Sequence, residues 1–217
     1  MPPKSPSTNP KTSAADFLPA KHDLASLQAA SRRCQGCELY RNATQTVFGE
    51  GRTSSTILFV GEQPGDQEDL AGRPFVGPAG RLLDACMEEA GIDRNAAYVT
   101  NAVKHFKWEP RGKRRIHKKP TMREAAACRP WLDAEIEAVG PGLIVCLGAT
   151  AAQSLLGSSF RVTQDRGKTM TVAGYPPIIA TIHPSVILRA QTDDDRERER
   201  RLFVADLVAA ARLFHAG

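Results

Sequence analysis

Four short apolar runs set the pattern of the chain: Thr56–Gly61 (TILFVG), Ala97–Val103 (AYVTNAV), Leu143–Gly148 (LIVCLG) and Pro177–His183 (PIIATIH). They are rich in β-branched residues and continuous rather than alternating, which is how strands buried on both faces read. Between and after them, apolar positions recur at helical spacing. Gly77–Gly91 predicts a helix with Leu82, Leu83 and Cys86 on its apolar stripe. Thr121–Gly140 predicts a second: Thr121 and Glu124 form a capping box, Pro120 precedes it and Gly140 suits its far end, while Pro130 predicts a kink. Ala149–Leu156 reads as a shorter helix, and Asp194–His215 brings Phe203, Leu207, Ala210 and Phe214 to one face. Arg161–Thr171, around Asp165-Arg166-Gly167, predicts a hairpin.

Strand–helix–strand repetition predicts an α/β fold: a single-domain, three-layer sandwich with a central, mostly parallel, four-stranded sheet and helices on both faces. The Pro-, Ser-, Thr- and Lys-rich stretch Met1–Lys21 predicts a disordered tail, with the domain spanning His22–Gly217. The composition fits. Apolar residues make up 41% of the 217 and charged residues 24%, enough for a core; aromatics are 6%, so that core is mostly aliphatic. No run of about 18 apolar residues exists to span a membrane, and the N-terminal stretch lacks the apolar segment of a secretory signal. The expectation is therefore a cytoplasmic monomer without a membrane partner. Five cysteines, an odd number, argue against a disulfide framework in a reducing compartment.

Parallel sheets carry their sites at the carboxyl ends of the strands. The residues there are Gly61-Glu62-Gln63-Pro64-Gly65-Asp66, then Asn101 and the stretch Lys104–Lys119, then His183-Pro184-Ser185. The chain's formal charge is only +5, but Lys104–Lys119 (KHFKWEPRGKRRIHKK) alone carries more, with Glu109 its single acid. A charge run is usually a solvated loop. At a site-bearing edge it also suits a phosphate backbone. His117 lies inside it, where neighbouring cations disfavour the protonated ring; a neutral imidazole can be a base, a ligand or a nucleophile, or merely a surface residue. His183, stiffened by Pro184, can donate into the cleft or serve structure alone. Cys34 and Cys37 form a C-x-x-C that suits zinc, an iron–sulfur cluster or redox chemistry. No strand precedes it, which argues against the last. Cys86 and Cys146 read as small core hydrophobes, leaving Cys128 and His105 to complete a four-ligand set. The Gly61–Gly65 turn lacks the spacing of a phosphate loop.

Together these pieces resemble the uracil-DNA glycosylase superfamily, and within it the iron–sulfur family-four enzymes, over roughly Leu27–Phe214. Gly61-Glu62-Gln63-Pro64-Gly65-Asp66 resembles the first motif, Gly72-Arg73-Pro74-Phe75-Val76-Gly77 the uracil-stacking segment, Thr100-Asn101-Ala102-Val103-Lys104 the base-reading segment and His183-Pro184-Ser185-Val186-Ile187-Leu188-Arg189 the last motif. Three departures are informative: His105 where the family usually has a cluster cysteine, Gln63 where it usually has Ala, and the added Lys113-Arg114-Arg115-Ile116-His117. All three resemble the UdgX branch, in which the histidine of this KRRIH loop becomes covalently joined to DNA after uracil leaves.

The resemblance implies a 4Fe–4S cluster on Cys34, Cys37, Cys128 and His105. It implies uracil-containing DNA, single- or double-stranded, as partner, and nucleoid association when bound. Glu62, Gln63, His117 and His183 would be catalytic; Gly61, Phe75, Asn101, Ser185 and Arg189 would hold the substrate; Lys113, Arg114 and Arg115 would hold DNA. The implied reaction is excision of uracil followed by capture of the abasic sugar by His117. The alternatives are an ordinary turnover glycosylase, a non-enzymatic binder of uracil-containing DNA, and a zinc-stabilised basic domain.

Overall fold

The strand and helix order is that of a doubly covered parallel sheet. A computed structural model describes residues 13–215. Four strands, β1 (Ile57–Gly61), β2 (Ala97–Asn101), β5 (Leu143–Leu147) and β7 (Ile178–Thr181), run parallel in the order β2-β1-β5-β7. β1, β2, β5 and β7 are buried at every residue. Successive side chains alternate between two cores. Ile57, Phe59, Val99, Val145 and Ile179 pack on one face against α3 (Pro78–Glu89) and α8 (Asp193–His215). Leu58, Val60, Tyr98, Ile144 and Cys146 pack on the other against α4 (Met122–Val139) and α5 (Ala149–Leu156). Both faces are dry, so neither register of the alternation could be polar, and the runs read as continuous.

The sheet has five strands rather than four. The fifth, β6 (Thr169–Met170), pairs antiparallel with β7 at the edge. The hairpin expected over Arg161–Thr171 does not form: Val162–Asp165 makes a single helical turn, α6, and Gly167 N–H donates to Ala180 O at 2.9 Å. The segment thus turns onto β7 rather than onto itself.

Thr121 caps α4 reciprocally with Glu124, at 3.2 Å and 2.7 Å. Gly140 ends α4 at φ 59°, a left-handed conformation that favours glycine. The helix continues through Pro130 as one element. Phe203, Leu207 and Ala210 of α8 are buried as expected; the side chain of Phe214 lies outside the described residues.

The basic stretch, expected to be a loop, contains a two-stranded ribbon: β3 (Trp108–Arg111) pairs antiparallel with β4 (Arg114–His117), Trp108 opposite His117. Its residues are mostly exposed, so no apolar alternation betrays it. Part of the expected tail is folded. Ser13 caps a helical turn at Ala14–Phe17, and Ala14 is buried with Leu27 of α1 (Leu24–Ser31), Leu39 and Trp131 in a third apolar cluster. Small apolar residues there find a groove beside α4. Residues 1–12 of the expected tail lie outside the described residues. Among the described residues no helix is long and apolar enough to cross a membrane.

Candidate active site

A cleft of about 880 Å³ opens at the carboxyl ends of the parallel strands. Glu62 and Gln63 enter it from β1, Asn101 from β2, Gly148 from β5 and His183 from β7, with Phe75 and the ribbon's His117 closing its sides. The cleft is where the sheet rule puts it.

Its floor is defined by close approach. An added Cβ at Gly61 would stand 2.2 Å from Asn101 Oδ1 and 2.8 Å from Phe75 Cζ. Phe75 itself has φ 57°, unfavourable for an aromatic residue. Gly80 lies beneath it, where a Cβ would be 1.6 Å from the Phe75 carbonyl oxygen. Asn101 is 3% exposed, and its side-chain amide makes no protein hydrogen bond among the described residues. A donor and an acceptor therefore remain available to a planar ligand laid on Phe75. Gly61→Ala should leave the fold intact and reduce processing of such a ligand by about a hundredfold, because the methyl displaces both Asn101 and Phe75. Single-turnover rates alongside thermal unfolding check this.

His183 caps the short helix α7 (Pro184–Leu188). Ser185 N–H donates to His183 Nδ1 at 3.1 Å, and Ser185 Oγ lies 2.8 Å from the same nitrogen. Nδ1 is therefore the lone-pair nitrogen, and in the neutral ring Nε2 carries the hydrogen. Burial, helped by the charges of Arg189 and His117, lowers the His183 pKa to about 4. At neutral pH the ring is an uncharged donor. Ser185, expected to bind substrate, lines the cleft and directs its backbone N–H and hydroxyl at this ring.

Gln63 also has a different task from the one its motif suggests. Its Nε2 donates to Lys107 O at 3.2 Å and Lys118 O at 3.0 Å, and its Oε1 accepts from Lys107 N at 3.0 Å. The amide joins the two ends of the ribbon. Arg115, expected among the DNA contacts, is held by Asp66 and Asp69, each at 2.6 Å, between the Phe106 and Trp108 rings. Lys104 is buried against Glu135, Lys107 pairs with Glu124 and Lys118 with Glu109. Among the described residues, Arg111, Lys113, Arg114 and Lys119 of this stretch make no ion pair. Lys119 lines the cleft, and the other three lie at the turn of the ribbon.

Gln63 and Arg115 hold the ribbon so that His117 Nε2 lies 3.5 Å from Glu62 Oε1. The His117 pKa is lowered, first by partial burial and also by Arg189, with Glu62 opposing. Desolvation of this half-exposed ring contributes more to that lowering than the Arg189 charge does. Thr150, at the start of α5, donates its hydroxyl to Glu62 Oε2. Sequence reasoning missed Thr150, and no motif marks it. It also missed Glu68, which accepts from the backbone N–H of Gly65 and, at 3.3 Å, of Gly77 and so ties together two loops of the cleft. The Gly65-x-x-Glu68 capping spacing is its one signal.

Cys86 and Cys146 sit in the two sheet-facing cores. Cys34, Cys37 and Cys128 lie together in the third cluster, near enough for charge on Cys34 or Cys37 to act on Cys128. Trp131 Nε1–H donates to Cys34 Sγ at 3.2 Å, and Lys104 N–H to Cys128 Sγ at 3.3 Å. Burial pushes the Cys128 thiol up to about 12, so these donors suit a thiolate only where a bound metal replaces the proton. His105 is 5% exposed, with its pKa lowered by burial to about 4, so its ring is neutral. Among the described residues no three His, Cys, Asp or Glu side chains stand close enough to hold a single metal ion.

Residues 48–208 match the family model described as the uracil DNA glycosylase superfamily. A type-4 uracil-DNA glycosylase of Thermotoga maritima is 40% identical over 184 residues, covering 84% of this chain and 90% of that protein. Type-4 uracil-DNA glycosylases of Archaeoglobus fulgidus and Sulfurisphaera tokodaii are 36% and 35% identical, covering 76% and 79% of this chain and 84% and 80% of theirs.

Proposed function

The chain belongs to the uracil-DNA glycosylase superfamily, and from that premise we propose that it excises uracil from DNA and then joins itself covalently to the abasic sugar through His117. One observation carries the second half: a neutral imidazole on a pinned ribbon faces a carboxylate across the cleft in which Asn101, Phe75 and His183 converge. The substrate nucleotide must leave the base stack, at a cost of a few kcal/mol. Arg111, Lys113, Arg114 and Lys119 meet the phosphates, as does Arg189 at the rim of the cleft. Phe75 stacks on the base. Asn101 offers a donor to O4 and an acceptor to N3–H, a pattern cytosine does not match. His183 Nε2–H lies ready for O2, where charge develops as the base departs.

The C1′–N1 bond breaks with its electron pair on uracil, leaving an oxocarbenium-like sugar. The imidazole nitrogen not turned to Glu62 donates its lone pair to C1′. Glu62 takes the proton from the other nitrogen, so the product is a neutral N-glycosyl imidazole. Such a group is hard to expel without reprotonation.

Cys34, Cys37 and Cys128, with His105, are the residues that would hold an iron–sulfur cluster. Bound there, the group supplies a cross-link between the N-terminal segment and α4. Cys128→Ala should lose iron and folded yield together, measured by iron content and absorbance near 400 nm. Cys146→Ala should keep its iron and lose about 1–2 kcal/mol of stability. A Cys128→Ala protein with full iron would remove that ligand from the set.

The test of function is one incubation with uracil-containing oligonucleotide. Free uracil together with a band that survives denaturing electrophoresis supports the reading. Free uracil without the band leaves an ordinary glycosylase, and neither product leaves only a binder.

The pH dependence has a defined sign. Capture needs neutral His117, and its folded pKa lies below the ordinary value of about 6.5. Adduct formation should be at its plateau near pH 8 and fall toward acid with a midpoint below about 6.5. His183, with a pKa of about 4, remains a neutral donor over this range. A midpoint at or above about 6.5 in quenched single-turnover rates would contradict this assignment.

A further inference from the structure

We infer that Thr150 is a positioning residue for the capture step: its hydroxyl fixes the Glu62 carboxylate so that the second carboxylate oxygen faces His117. The inference rests on the trapping reading above and adds to it a residue that contacts neither base nor sugar. Val60 and Cys146 are paired neighbours in β1 and β5, so the two strands end side by side. Glu62 follows the first, and α5 begins just after the second. This brings the second residue of α5, Thr150, to the back of Glu62, where it is 4% exposed.

Its hydroxyl contacts Glu62 Oε2, whereas His117 Nε2 lies 3.5 Å from Oε1. Thr150 is the donor in this contact and the carboxylate oxygen the acceptor. The terminal torsion of a glutamate is broad and only weakly restrained by its own rotamers. The Glu62 side chain is 23% exposed, so packing alone does not hold it. Thr150 removes that freedom. The pair is thus anchored from both sides: Gln63 and Arg115 hold the ribbon that carries His117, and Thr150 holds Glu62.

The consequence lies in what happens after the C1′–N1 bond has broken. The imidazole lone pair forms the N–C1′ bond, and the proton on the other ring nitrogen must go to Glu62. A carboxylate turned away leaves the new bond on a cationic imidazolium, which is more readily expelled, and water then competes for the sugar. Thr150 therefore acts on the partition between adduct and free abasic site.

Thr150→Val keeps the shape and removes the hydroxyl; Thr150→Ser keeps the hydroxyl. Thr150→Ala is measured beside them, so that a poorly folded Val variant still leaves a comparison. Each is read in single turnover for adduct rate, uracil release and free abasic DNA, with thermal unfolding recorded. We expect adduct formation to slow about ten- to a hundredfold in Val and Ala, as for other groups that orient a reactive partner. Free abasic DNA should appear, uracil release should be less affected, and Ser should restore the wild-type partition. A Val or Ala variant that traps with wild-type rate and partition overturns the inference. So do losses in Val, Ala and Ser that simply follow lost stability. If the wild-type protein releases uracil without any adduct, the trapping reading fails and the inference goes with it. An adduct in the wild type with no response to Val or Ala sinks the inference alone.

Discussion

His117→Ser releases uracil from an oligonucleotide, leaves a free abasic site and forms no adduct that survives denaturation. This is the expected result because the oxocarbenium-like sugar is short-lived and reacts with whatever nucleophile is already in place. In the wild type that group is the neutral ring held beside Glu62. Serine is shorter, its hydroxyl is a poor nucleophile, and the space it vacates lies at the mouth of the cleft, where the His117 side chain is already 48% exposed. Water therefore enters, and one protein molecule processes many substrates. The adduct should fall below detection, while bond breaking, which draws on Asn101, Phe75 and His183, should survive within about tenfold. Gln63 and Arg115 continue to pin the ribbon, so the loss is not a folding defect. His117→Gln fills the space without supplying a comparable nucleophile and should excise more slowly than His117→Ser. Free uracil and gel-stable adduct measured side by side decide the matter. An adduct formed by His117→Ser would place the nucleophile elsewhere; the absence of both products would mean that His117 helps break the bond.

The sheet and the place of the cleft were legible because burial on both faces leaves an unmistakable pattern: Leu58 and Phe59 point to different cores, yet both must be apolar. The end of each parallel strand then locates the site residues that follow it. What the sequence hid depends on pairing at a distance. The ribbon has no apolar face, and its position comes from Gln63, Asp66 and Asp69, all more than forty residues away. In a list of cations, Arg115 looks the same as Arg114, but two carboxylates and two aromatic rings remove only Arg115 from solvent. The shared role of Glu62 and Thr150 is hidden for the same reason: β1 and β5 are neighbours in space and distant in sequence. Glu135 did leave a trace, since it falls on the buried face of α4 with Leu132, Ile136 and Val139. An acid in that company needs a partner inside the protein.

That partner is Lys104, and Lys104→Met should lower the free energy of unfolding by about 3–5 kcal/mol, the usual cost of stranding one member of a buried ion pair. Both side chains are 0% exposed. Lys104 Nζ also donates to Thr100 Oγ1 and to Asn101 O, each at 2.7 Å. Glu135 accepts in addition from Tyr98 OH at 3.0 Å and Gly49 N at 2.8 Å. Methionine matches the stem of lysine and supplies none of these donors, so the carboxylate must either stay charged without a cation or take up a proton. Adding Glu135→Leu to Lys104→Met removes the stranded acid but orphans Tyr98 OH and Gly49 N–H. The double variant should therefore recover part of the loss and not all of it. Denaturant titration of the wild type, Lys104→Met, Glu135→Leu and the double variant gives the coupling. DNA binding supplies an independent reading, because Lys104 belongs by sequence to the cationic run and by structure to the core. If it is in the core, Lys104→Met leaves the salt dependence of DNA affinity unchanged under conditions where it is folded, whereas Lys113→Met reduces the slope by about one counterion. A Lys104→Met protein that keeps its stability and loses salt dependence would return this lysine to the DNA-facing surface.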